Sequence, residues 1–405
     1  MTRRRKIIIA VLILLIAAGA AYYFFIYRKA PTAQPAPSPS RQGVLPEALN
    51  RLFGIARQPV AGGPAQPTPI SAEARAKQKL YRISKEPAFA PWISQDGASV
   101  RYFTRASGAL WQSDSEGLSH DILANPPVQN LIDVVWAPGG QNAILKAVND
   151  AGDVRTYFFT VSDKSAKELN QFMRSVAFSP KGDRIVYNYL NTVNGDNTIA
   201  IANPDGSKFK TLYQPIFADF ALLWPHEETV LVQTSPSYAS ETHLFALDTR
   251  VGTLTKVLPQ NFFGLSSLWS PDGNRALFSR VSNEGAMLHA LAGTLVQTQP
   301  RDLFEFTTLA EKCAWRTNSL AVICGVPQEV PFGIKLPDDY YKGVFVSTDA
   351  IKEVNVQTFQ TRTIARAEEL FPNLDIENPS VSPDSSRMVF ENRQDGYLYA
   401  LRLTP

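Results

Sequence analysis

The sequence predicts an all-β protein: a seven-bladed β-propeller preceded by one N-terminal transmembrane helix and a Pro-rich linker. Three observations carry that reading. An uncharged apolar stretch opens the chain, a Pro/Ala-rich segment follows it, and the rest repeats one short unit.

The opening stretch, Ile7 to Tyr27, is apolar or aromatic throughout. A helix of roughly 20 such residues crosses a bilayer. Ala18-Gly19-Ala20 has the small-x-small form of a cleavable leader, but apolar sequence continues through Tyr22-Tyr23-Phe24-Phe25-Ile26-Tyr27, which favours an uncleaved anchor. Arg3, Arg4, Arg5 and Lys6 precede the span, and only Arg28 and Lys29 follow it. That bias holds the N-terminus in the cytoplasm and puts the remainder outside a single-pass cell-membrane anchor. Residues 1–29 therefore read as cytoplasmic stub and anchor, with residues 7–27 contacting the membrane.

Residues 30–78 have linker composition, as in APTAQPAPSPSRQG and RQPVAGGPAQPTPI. Such segments bury too little apolar surface to offset the entropy of ordering. One interruption, LPEALNRLFGIAR (45–57), sets Leu45, Leu49, Leu52 and Phe53 at helical spacing. It reads either as a transient helix or as one that docks on the domain or a partner.

From residue 79 the chain is repetitive. WISQDGASVRYFTR, VVWAPGGQNAILKAV, VAFSPKGDRIVYNY, LLWPHEETVLVQT, LWSPDGNRALFSR, CAWRTNSLAVICG and VSPDSSRMVFENR align on Ile93, Trp136, Phe178, Trp224, Trp269, Trp315 and Val381. Successive anchors are 43, 42, 46, 45, 46 and 66 residues apart. A period in the forties with four short strands per unit is that of a propeller blade. Ser270-Pro271-Asp272-Gly273 has the residue order of a tight turn, here joining the inner strand of a blade to the next. The bulky anchors are expected to pack between blades. The last repeat supplies three strands, so residues 79–84 are expected to pair with it as the fourth, closing the ring over 79–405.

The bulky-Ser-Pro-Asp-Gly unit resembles the repeats of TolB-type bacterial propellers. It lacks the Gly-His and Trp-Asp dipeptides of eukaryotic WD repeats. The order of basic N-terminus, span, tether, LYRISKEP, EKCAW and PDDYYKG is also similar to membrane-anchored propeller proteins of candidate-phylum bacteria. The resemblance implies the fold and no particular activity.

Composition excludes several function classes. The formal charge of +3 includes the six basic residues of the anchor, and without them 34 basic residues face 37 acidic. A near-neutral propeller without a basic stripe argues against nucleic acid as partner. No Gly-x-Ser-x-Gly elbow occurs, and His120, His226, His243 and His289 are scattered across the repeats, so no catalytic, cofactor or metal residue is assigned.

Two local features remain. Cys313 and Cys324 flank a short turn and read as a cross-strand disulfide or as two buried thiols. The long interval of 66 places an insertion, Val326 to Tyr341, between the second and third strands of blade six. Its Phe332, Asp338, Asp339, Tyr340 and Tyr341 suit either contact with a partner or packing across the propeller's own face. The expectation is a non-enzymatic scaffold that binds a protein or cell-surface polymer. The alternative is a small-ligand sensor or enzyme using the central channel.

Overall fold

The computed structural model describes residues 71–125, 128–258, 262–281, 288–294, 300–303 and 307–403. The anchor expected at 7–27 and the tether up to residue 70 lie outside them. No helix among the described residues is long and apolar enough to cross a membrane.

The described residues form seven antiparallel sheets, each a blade. Their innermost strands are Ala88–Ile93, Leu131–Trp136, Met173–Phe178, Phe220–His226, Phe262–Trp269, Cys313–Trp315 and Ile376–Val381. Six of the seven repeat anchors terminate these strands, and Trp224 lies two residues before the end of its own. Because the strands alternate direction, all turns after an innermost strand emerge on one face, called here the turn face. The connections between second and third strands, and between blades, emerge on the opposite face.

The turn chemistry is repeated. Ser94, Ser270 and Ser382 each donate from Oγ to the Asp two residues on, at 2.5 Å. Each Oγ also accepts the backbone N–H five residues on, at 2.9–3.0 Å. In blade three Ser179 donates instead to Asp183, four residues on, at 2.7 Å, and accepts the Arg184 N–H at 3.1 Å. The left-handed position that ends the turn is glycine in four blades and serine in two, Ser319 and Ser385. Residues able to visit αL fill it.

The core lies between blades. Trp136 Nε1 donates to Ala90 O at 2.9 Å, and Trp315 Nε1 to Leu268 O at 3.1 Å, each reaching the preceding blade. Apolar clusters span successive pairs, such as Phe178, Ile185 and Tyr187 of blade three with Ala137 and Ile144 of blade two.

Strand Leu80–Arg82 pairs with Leu398–Arg402 as the outermost strand of the last blade, in the register Leu80↔Leu401 to Arg82↔Tyr399. Residues 71–78 depart from the featureless linker their position suggested. Ala72–Ala76 is helical, Ser71 Oγ caps it by accepting from Ala74 N at 3.2 Å, and Arg75 lies over the Tyr81 ring. Alanine and glutamate favour the helix, and the propeller rim supplies the contact.

Candidate functional site

The connection between strands Ala321–Pro327 and Asp349–Asn355 of blade six is the insertion read from the repeat spacing. It emerges on the opposite face and packs against its own propeller. Leu336, Tyr340 and Phe345 are buried with Val281 of blade five and Leu309. Gly264 permits the close passage: its φ is +58°, and a Cβ there would stand 2.7 Å from Pro337.

Of the five insert residues singled out, four point inward or close the insert on itself. The Asp338 carboxylate accepts from Tyr238 N at 2.7 Å and Ser237 Oγ at 3.1 Å, both in blade four's long loop. Asp339 accepts from Lys335 N at 2.8 Å. The Tyr341 hydroxyl donates to Glu311. Tyr340 is 1% exposed, with the Arg393 guanidinium 4.0 Å from its ring centroid and Lys312 Nζ at 5.1 Å. Only Phe332 projects fully into solvent.

Beneath the insert lies a charged cluster that sequence reasoning missed. Lys312 is wholly buried, its Nζ 2.5 Å from Asp375 Oδ1 and 2.8 Å from Asp349 Oδ2. It also donates to Ser347 Oγ and Ile376 O, both at 3.0 Å. Four acceptors around one nitrogen describe an ammonium. Burial works to lower the Lys312 pKa, but Asp349, Tyr340 and Asp375 outweigh it and hold the group charged. Burial raises the Asp349 pKa, opposed by Lys312. Gly325 makes room for this carboxylate, since a Cβ there would meet Asp349 Oδ2 at 2.6 Å and Ile376 at 2.9 Å.

The cluster continues into the last blade. Glu377 and Glu391 are register partners on adjacent strands, and both are buried. Like charges so placed repel unless each is answered. Glu391 pairs with Arg105 of blade one, and Arg393 Nε lies 3.5 Å from Glu377 Oε1. Ion pairs thus stitch blades six, seven and one at the opposite face.

Cys313 and Cys324 are register partners joined by a disulfide, with Cα atoms 4.0 Å apart. They lie in the apolar cluster between blades five and six. Among the described residues no group of three His, Cys, Asp or Glu side chains is placed to hold a metal ion. His226 and His243 fall in one blade, against the scatter expected, but near opposite ends of it. His120 contacts Tyr102 Oη at 3.3 Å and Gly117 O at 3.2 Å, and burial lowers its pKa.

The opposite face also gathers exposed apolar side chains. Phe332, Ile216, Phe371 and Val193 are the four most exposed large hydrophobics among the described residues, and all four sit on its connections. Val344 of the insert joins them.

No family model and no curated protein matches the chain. Solved structures do match in fold. An oligogalacturonate lyase from Vibrio parahaemolyticus aligns with TM-score 0.60 at 8% identity, covering 80% of this chain and 93% of that one. An oligogalacturonate lyase in complex with manganese aligns with TM-score 0.58 at 10% identity, covering 80% and 90%. TolB from Acinetobacter baumannii aligns more loosely, with TM-score 0.45 at 10% identity over 76% of this chain and 64% of that one. The likeness to TolB therefore rests on the repeat unit, and the two lyase alignments, at such low identity, speak for the propeller fold alone.

Proposed function

We propose that this protein is a membrane-anchored, extracytoplasmic propeller that binds a protein or cell-surface polymer on the face opposite the Ser-Pro-Asp-Gly turns, without catalysis. The observation that carries the reading is the contrast in exposure on that face. Phe332, Val344, Phe371, Ile216 and Val193 are presented to solvent, while the insert beneath Phe332 is fixed by Asp338, Tyr340 and Tyr341. Apolar side chains held on a rigid support are suited to act as anchors at an interface. The test is a photo-crosslinking residue placed at 332 or 371, with position 274 in a Ser-Pro-Asp-Gly turn as control, in native membranes. Discrete adducts from 332 and 371 and none from 274 are expected; adducts from none, or equally from 274, overturn the reading.

A second reading, a ligand-handling or catalytic site, is favoured by the buried carboxylates Asp349, Asp375, Glu377 and Glu391 beneath the insert. The lyases of similar fold act on oligogalacturonate, one with manganese bound. In this chain Lys312, Arg393 and Arg105 already answer those acids, a donor set that does not fit a resident manganese ion. Release of unsaturated uronate from trigalacturonate, lost in Glu391→Gln, would replace the first reading with this one.

A further inference from the structure

Away from both faces, a cleft of about 450 Å³ opens on the side of the ring between blades two and three. Strand alternation builds it. Tyr187 and Tyr189 on the second strand of blade three, Thr198 and Ala200 on the third, and Thr211 on the fourth share one side of the sheet, facing blade two. Leu169 and Met173 form the apolar floor. Phe209, 68% exposed, stands at the mouth.

The charges of the lining are all of one sign. Glu168, Asp196 and Asp205 contribute carboxylates, and no Lys or Arg lines the cleft. Two cations reach the rim from outside. Lys167 Nζ is 3.2 Å from Asp205, and Arg155 is 3.6 Å from Glu168. The first pair is solvent-exposed and the second partly so, and such pairs hold little energy. Asp196 accepts from Asn194 Nδ2 at 2.7 Å.

From this combination we infer that the cleft is a second binding site, one that takes a lysine or arginine side chain from a basic segment of a protein partner. Aromatic faces attract a cation, more strongly once water is displaced. The three carboxylates steer it in and repel an anionic polymer. An apolar floor suits the methylene stem of either side chain. The site is independent of the opposite-face reading, and either can fail alone.

The test is calorimetric titration of the full-length protein in detergent with hexa-arginine, hexaglutamate and maltohexaose, a neutral sugar. Hexa-arginine is expected to bind, more weakly as salt rises. The double variant Glu168→Gln/Asp196→Asn, which alters only surface carboxylates, should weaken binding about tenfold or more, and Tyr189→Leu by a smaller factor. Unchanged hexa-arginine affinity in the double variant, or no binding of that peptide, overturns the inference. So does maltohexaose binding that the same variants abolish, which would make the cleft a saccharide site.

Discussion

The two faces of this propeller are built on different principles. On the turn face one device recurs, a serine hydroxyl shared between an aspartate and a backbone N–H five residues on. On the opposite face an asparagine turn is shared by three simple connections, at Asn149, Asn191 and Asn392, but one blade carries the insert, a disulfide and a buried lysine, and a neighbouring blade carries paired glutamates. Repetition marks the scaffold, and the departure from it marks where specificity can be placed.

The sharpest way to break that contrast is Lys312→Ala. It leaves Asp349 and Asp375 buried without their cation, and breaking such a pair costs about 3–5 kcal/mol. Urea unfolding should register the loss. A loss below about 1 kcal/mol would mean that the cluster is solvated and contributes little to this face.

Opening the Cys313–Cys324 bond ranks next. It spans 11 residues within a buried cluster, and its removal by Cys313→Ala/Cys324→Ala should cost about 2–3 kcal/mol. Thiol labelling of denatured protein before and after reduction checks that the bond exists in the isolated chain.

The turn face predicts a smaller, pH-dependent effect. The Ser382 hydroxyl and the Ser386 N–H hold the Asp384 pKa down to about 2. Its unfolded value is about 3.9, so the stabilisation is complete above that pH and is lost as pH falls through about 2. Asp384→Asn should flatten this part of the acid unfolding curve. Solvent screening at this exposed turn keeps the difference under about 1 kcal/mol.

Least disruptive is Phe332→Ser, which should leave stability within about 0.5 kcal/mol. If the face binds a partner, crosslinking from position 371 should nonetheless fall sharply in this variant. Unchanged crosslinking would remove Phe332 from the interface.

How much could be read from sequence divides along the same line. The anchors Trp136, Phe178 and Trp269 mark innermost strands because bulky residues recur wherever blades must fill the same gap. The Ser-Pro-Asp-Gly turns were legible because local backbone geometry dictates their residues. The insert was located by the interval it lengthens. The inward course of Tyr340 was not legible, because its burial depends on Arg393 from a different blade. Nor was the lysine cluster: Lys312 and Asp349 come from two separated segments of blade six and Asp375 from blade seven, and they meet only when those blades pack. One local sign was available, a lysine directly before the apolar Cys313-Ala314-Trp315, with Gly325 on the strand that follows.

The outer strand of the last blade has a mechanical meaning as well. Residue 79 reaches the ring at the turn face, and Leu80–Arg82 then runs along Leu398–Arg402, helped by Lys79 Nζ bonding Ile364 O at 2.7 Å. Any load carried by the preceding chain therefore passes through the short helix docked by Arg75 to this strand, the seam that closes the circle. The segment through which the propeller would be tethered is also its latch, and a pull strong enough to free one opens the other.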